Sequence, residues 1–192
     1  MNILILGPQG SGKGTQAKRI AVEYGVAHVA TGNMFRAAIA AGTTLGLQVQ
    51  PLLASGQLVP DDLTIGLIRA RLQEDDALDG FVLDGFPRTM AQAEVLDAML
   101  AGIGRRLDVV LELLIAEEIC VERMLGRARE EGRGDDTPEV IAARLEVYRR
   151  ETVPVVEHYR ATGRLVGIRA ERTPDEVFAE IQDTLEQVEE RA

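Results

Sequence analysis

Lys13 closes a run of glycines, Gly7-Pro8-Gln9-Gly10-Ser11-Gly12-Lys13-Gly14-Thr15, and the chemistry that this combination allows is the holding of a phosphate chain. Glycines let the backbone turn tightly with its N–H groups pointing inward, and a helix starting there adds unpaired donors and the positive end of its dipole. A lysine then supplies a point charge for the far phosphate. Arg36, Arg88, Arg123, Arg127, Arg133 and Arg144 form a second set, each close to a loop or an expected helix end. Singly, each reads as a solvated or salt-bridged surface residue. Together, in a chain of net charge −10, they read as a phosphate site, because the planar fork of arginine suits bidentate phosphate contact. Asp84 ends the apolar run Phe81-Val82-Leu83. A carboxylate there can hold Mg²⁺ directly or through water beside bound phosphates; the competing reading is a turn-forming aspartate before Gly85.

These side chains need strands and helices to aim them. Ile3-Leu4-Ile5-Leu6 leads straight into the glycine loop, and a helical pattern follows over about residues 13–24: strand, loop, helix. The spacing from Gly7 to Gly12-Lys13 is that of the P-loop, with Gly14 where the usual motif has Ser or Thr and the hydroxyl one residue later, at Thr15. A strand over 27–30 runs into Thr31-Gly32-Asn33, where a Thr or Asn cap starts another helix. Residues 33–55 read as two helices broken near 42–44, with a thin, alanine-rich apolar face that predicts a small subdomain packed loosely on the body. Gly56-Gln57-Leu58-Val59-Pro60 reads as a hinge.

Beyond it, Ile65, Ile68 and Leu72 recur at helical spacing, residues 81–84 form a strand, and a helix over 89–100 carries Ala93, Leu96 and Leu100. A buried strand follows over 109–115. Residues 123–133 are dense in charge and predict a mobile flap. Thr137 and Pro138 restart a helix faced by Ile141, Leu145 and Tyr148. A strand near 165–168 precedes the capping box Thr173-Pro174-Asp175-Glu176 and a last helix faced by Val177, Ile181, Leu185 and Val188. Strands alternating with helices predict an α/β fold with a mainly parallel sheet, helices on both faces, and the ligand at the carboxyl ends of the strands.

At 192 residues the chain has the length of one compact unit. Its acidity argues against a general affinity for nucleic acid or anionic membrane. The single Cys120 can neither close an internal disulfide nor build a four-thiolate zinc site, which suits a reducing, cytoplasmic setting. No apolar run approaches the roughly 18 residues of a membrane span, and the early first strand leaves the expectation that no signal peptide is present. Gln92 has two readings of equal standing: a capping box with Thr89, or an amide that reads an adenine edge. His28 and His158 lie in no metal-type spacing and read as structural; Cys120 reads as a small core residue.

With those residues in view, the sequence resembles the adenylate kinase family over nearly its whole length. The matching segments are residues 7–16, Thr31-Gly32-Asn33-Met34-Phe35-Arg36, residues 56–60, residues 84–88 with Gln92, and Gly132-Arg133-Gly134-Asp135-Asp136 with Arg144. The resemblance implies a P-loop fold of three layers with a five-stranded parallel core made by residues 1–29, 60–125 and 137–192. It also implies an AMP-binding insertion over 30–59 and a short lid over 126–136. It puts ATP phosphates on Gly10, Ser11, Gly12, Lys13, Gly14 and Thr15, with Arg123 and Arg127 on the ATP side and the backbone near Arg172 bordering the base. It puts AMP against Thr31, Arg36, Gln57, Leu58, Val59, Gly85, Phe86, Pro87, Arg88 and Gln92, with Arg133 and Arg144 bridging the reacting phosphates.

Asn33 stands where the family usually has Asp, and Gln9 where it often has Pro. The lid lacks the cysteines of the zinc-binding form, so no structural zinc is expected. The implied reaction is reversible phosphoryl transfer from MgATP to AMP giving two ADP, with Mg²⁺ as cofactor and a monomer as the working form. A kinase for UMP or CMP is the nearest alternative. A guanine-nucleotide switch is disfavoured because neither asparagine, Asn2 nor Asn33, is followed by lysine.

Overall fold

A computed structural model describes residues 1–131 and 137–190. Five strands alternate with helices in chain order: β1 (Asn2–Leu6), α1 (Lys13–Tyr24), β2 (Ala27–Ala30), α2 (Thr31–Ala40), α3 (Thr44–Ala54), α4 (Asp61–Arg71), β3 (Phe81–Asp84), α5 (Met90–Gly102), β4 (Val109–Leu114), α6 (Glu117–Glu131), α7 (Pro138–Val147), α8 (Val153–Ala161), β5 (Leu165–Arg169) and α9 (Pro174–Glu189). All the strand pairings are parallel, in the order β2-β3-β1-β4-β5. Side chains alternate across a strand, so β1 feeds two cores. Ile3 and Ile5 pack with Ala17 and Ile20 of α1 and Val177, Ile181 and Leu185 of α9. Leu4 and Leu6 pack with Ile68 of α4, Leu96 and Leu100 of α5, and Val155 and Tyr159 of α8. That is three layers, helix on sheet on helix.

The strands β3, β1 and β4 lie side by side at the centre of the sheet, so the loops leaving the carboxyl ends of β1 and β3 are neighbours. This is the region where chain connections diverge and where ligands sit in open parallel sheets. Two of these loops carry Lys13 and Arg88.

The expected elements are present, with informative differences. The helix after β2 has Ala30 at its N-cap and no side-chain cap. The Thr31 hydroxyl instead donates to Gly85 O at 2.9 Å, tying α2 to the loop after β3. The 33–55 region packs Phe35 and Val49 with Val59, flanked by Ile39, Leu45 and Leu53 and by Leu63 and Leu67 of α4, so it is better packed than its alanine content suggests. The stretch from residue 123, expected as a mobile flap, is helical as far as Glu131, and the first half of α6 is anchored by Cys120 and Met124 buried against Ile141 and Leu145 of α7. Residues 132–136, and with them Arg133, lie outside the described residues. Tyr148–Thr152 is a π-helical turn between α7 and α8. Among the described residues, no single helix is long and apolar enough to cross a membrane.

Candidate active site

The glycine loop has the backbone its sequence requires. Gly10 and Gly12 have φ of +84° and +96°, a region that L side chains rarely adopt, and Gly12 is the N-cap of α1. Gly10 lies so close to α6 that an added Cβ would meet Cys120 O at 2.5 Å. Ser11 is buried and its N–H donates to Pro8 O at 3.2 Å. Gly14 faces Asp84, whose Oδ2 would lie 3.4 Å from a Cβ placed there. Thr15 is exposed.

Lys13 Nζ points back into the loop, donating to Gly7 O and Pro8 O at 2.7 Å each. Burial pulls its pKa from 10.5 down to about 8, opposed by Asp84 and reinforced by Arg88 and Arg127. Asp84 shows the opposite balance. Burial pushes its carboxyl up, but His28, Lys13 and Arg88 outweigh that and hold it below the usual carboxylate range. His28, which spacing alone leaves outside any constellation, has its Nε2 3.7 Å from Asp84 Oδ2. That is longer than a hydrogen bond and close enough for an electrostatic contact. His158 pairs with Asp97 at 3.1 Å, away from the loop.

The second cradle follows β3. Gly85 has φ +82°, and a Cβ there would meet Thr31 Oγ1 at 2.8 Å and Arg88 Nη2 at 3.0 Å. Arg88 Nε donates to Gly85 O at 2.7 Å. Burial lowers the pKa of its guanidinium, Asp84 opposes the shift, and Arg144 and Arg36 add to it. Arg36 and Arg144 are therefore near enough to Arg88 to act on its charge. Arg36 Nη2 donates to Asn33 Oδ1 at 2.7 Å, and Arg144 Nη2 to Leu53 O at 3.3 Å. Phe86 is fully buried in the core, and the Phe86–Pro87 peptide is cis. Pro87 lines the same cavity as Gly85 and Arg88. Val59 belongs to the insertion's core, while Gln57 is exposed and Leu58 half-buried.

A small cavity joins the two cradles, lined by Gly7, Gln9, Lys13, Gly85, Arg88, Tyr148 and Thr152 among others. The last two escape sequence reasoning. Thr152 Oγ1 donates to Arg88 O at 2.9 Å from the π-helical turn, a feature often found at functional sites. The only available signal is Pro154, whose missing N–H disturbs the regular ladder at that turn.

A family model for adenylate kinase matches residues 5–164. The chain belongs to the adenylate kinase family. Curated adenylate kinases from Stenotrophomonas maltophilia strain K279a, Xanthomonas euvesicatoria and Methylorubrum populi are similar to it at 48%, 45% and 46% identity. The alignments cover 94%, 96% and 100% of this chain and 97%, 99% and 99% of those proteins.

For an adenylate kinase chain, the remaining cations divide in two. Arg123 Nη1 donates to Ala170 O at 3.1 Å, at the end of β5, and Arg127 is near enough to Lys13 to lower its pKa. Arg172 instead turns away, paired with Glu180 and donating to Arg169 O at 3.3 Å. Gln92 is 2% exposed. Thr89 accepts from its N–H at 3.2 Å, as a cap should. Its own Oε1 accepts from Arg88 N at 2.8 Å rather than closing the box on Thr89.

Proposed function

We propose that this protein transfers the terminal phosphoryl group of MgATP reversibly to AMP, giving two ADP. In this reading the ATP phosphates occupy the loop around Gly10, Ser11, Gly12, Lys13, Gly14 and Thr15. AMP lies between the insertion over 30–59 and the loop around Gly85, Pro87 and Arg88. The observation that supports the reading is the cavity that both Lys13 and Arg88 line, with Arg36 and Arg144 near enough to Arg88 to act on its charge.

The reaction asks for charge balance and alignment more than for acid–base chemistry. A phosphate monoester has a second pKa of about 6, so the AMP oxygen is largely ionised and attacks without a general base. Roughly six negative charges meet on the two nucleotides. Lys13, Arg88, Arg36 and Arg144 offset them, and the two glycine cradles hold the reacting groups in line. Arg123 at the base of the lid, with Arg127 and Arg133 in the lid over 126–136, completes the site, and closure of that lid excludes water that would otherwise accept the phosphoryl group.

Asp84 suits a Mg²⁺ ion bound with ATP. It is an ionised carboxylate beside the phosphate loop, and a single carboxylate with water is the donor set this ion prefers. The ion would contribute positive charge at the phosphate oxygens. A cytoplasmic monomer is the working form that the acidic charge and the lone, buried Cys120 support.

The test measures ADP formation from ATP and AMP, with and without Mg²⁺, on wild type and Arg88→Ala. AMP-dependent, Mg²⁺-dependent turnover that falls at least about 100-fold in the variant is expected, the scale for losing a buried charged donor at a transition state. ATP binding without AMP-dependent ADP formation refutes the reading, and the same assay with CMP, UMP and GMP separates the related kinases.

A further inference from the structure

We propose that Asp61 is a specificity-determining positioning residue, whose carboxylate locks the Gln92 amide in the one orientation that accepts adenine and rejects a 6-oxopurine. The proposal deepens the reading above and rests on its placement of the AMP base at Gln92.

Asp61 opens α4, and an acidic residue there is ordinarily explained by the helix dipole. Its carboxylate instead reaches across to α5. Oδ1 accepts from Gln92 Nε2 at 2.7 Å and Oδ2 accepts from Thr89 Oγ1 at 3.0 Å. On the other side of the amide, Gln92 Oε1 accepts from Arg88 N at 2.8 Å. A carboxylate only accepts and a backbone N–H only donates, so the two neighbours fix which end of the amide is nitrogen and which is oxygen.

A primary amide has two N–H donors and two acceptor lone pairs. With one of each committed, Gln92 keeps one N–H and one lone pair for a ligand. Adenine presents an N6–H donor beside the N1 acceptor and meets that pair. Hypoxanthine and guanine present an O6 acceptor beside an N1–H donor, the reverse polarity. The amide could serve them only by turning over. That would set Oε1 against the Asp61 carboxylate and Nε2–H against the Arg88 N–H, losing two hydrogen bonds inside a site where Gln92 is 2% exposed. Without such a clamp, an amide reads either base equally well. The carboxylate makes it directional without touching the nucleotide, from the residue that follows the 56–60 segment at the end of the insertion.

The experiment compares kcat/KM for AMP and for IMP at fixed MgATP, with KM for ATP as the internal control. Asp61→Asn keeps the shape, removes the charge, and carries an amide that can itself turn to suit either orientation of Gln92. The AMP:IMP ratio is expected to fall about tenfold or more, the share of a charge-assisted bond, with KM for ATP within about twofold of wild type. Discrimination narrows rather than vanishes, because Arg88 N–H still opposes the flip. Asp61→Ser repeats the comparison where the asparagine variant does not fold. A ratio within about twofold of wild type, or equal losses for both nucleotides, overturns the proposal and leaves Asp61 a helix-start residue. Gln92→Leu separates the two levels of inference. If that variant also leaves the ratio unchanged, the base is not read at Gln92 and the placement of AMP fails; if it alone changes the ratio, only the clamp fails.

Discussion

Lys13 offers the sharpest test of the physical reasoning, because the same burial that sets it inside the glycine loop makes its charge a burden to the free protein. Its pKa of about 8 lies below the ordinary 10.5, so folding disfavours the protonated form. The penalty is fully present below about pH 8 and is relieved as pH rises from there toward 10.5. The gap is worth about 3 kcal/mol at roughly 1.4 kcal/mol per pH unit, and the partial exposure of the residue trims that by screening. Urea unfolding of wild type and Lys13→Met, at about pH 7.5 and about pH 10, isolates the effect, since every other titration is shared by the two proteins. The unfolding free energy of wild type relative to the variant should rise by about 2 kcal/mol over that interval. Lost bonds to Gly7 O and Pro8 O shift the variant by a constant and leave the slope untouched. ATP phosphates restore the charge, so ATP affinity of wild type should weaken up to about tenfold per pH unit above pH 8, as binding takes up a proton. Parallel stability curves for the two proteins refute the argument.

Gly10→Ala drives a methyl group into the Cys120 carbonyl at 2.5 Å and forbids φ +84°; a loss of about 1–3 kcal/mol of stability and weaker ATP binding are expected by thermal unfolding and titration. Thr152→Val removes the hydroxyl that holds Arg88 O at 2.9 Å, which should lower kcat about tenfold, roughly the worth of one buried hydrogen bond, while KM for ATP is unchanged. Asn33→Asp puts a charge on the acceptor that Arg36 uses at 2.7 Å. A charged acceptor holds the guanidinium more firmly and cancels part of its field, so KM for AMP should rise about two- to fivefold, the range of an exposed ion pair.

Much of the fold is legible because its signals are local. The apolar run of β1, the glycines that need positive φ, and the capping box at Thr173, which the structure closes in full, are all decided by neighbours in sequence. The extent of α6 is not. Charge density and glycines predict a mobile flap from residue 123, whereas burial of Cys120 and Met124 against α7, residues beyond the lid, anchors the first half of the helix there. The cap at Thr31 fails for a similar reason, because its hydroxyl is claimed by Gly85, 54 residues away in the chain. Asp61 and Thr152 are illegible as site residues, since each matters through a partner, Gln92 or Arg88, that only the parallel sheet brings near. His28 meets Asp84 because β2 pairs with β3 in register, His28 opposite Val82 and Ala30 opposite Asp84, a register no single strand announces.

The arginines sort themselves by what they hold, and here the structure supplies what composition withholds. Arg19, Arg71, Arg149, Arg150 and Arg160 end on carboxylates at the surface. Lys13 and Arg88 end on carbonyls of the two glycine loops, and Arg123 on the carbonyl of Ala170. A carbonyl orients a cation without neutralising it and is a weaker acceptor than a charged oxygen. A phosphate can therefore displace it at small cost, whereas a carboxylate would compete for the same charge. In a chain of net charge −10, keeping acids off these groups is what leaves a local positive field for nucleotides that themselves carry negative charge. Asp84 is the exception inside that field, a carboxylate beside Gly14 that His28, Lys13 and Arg88 together hold ionised.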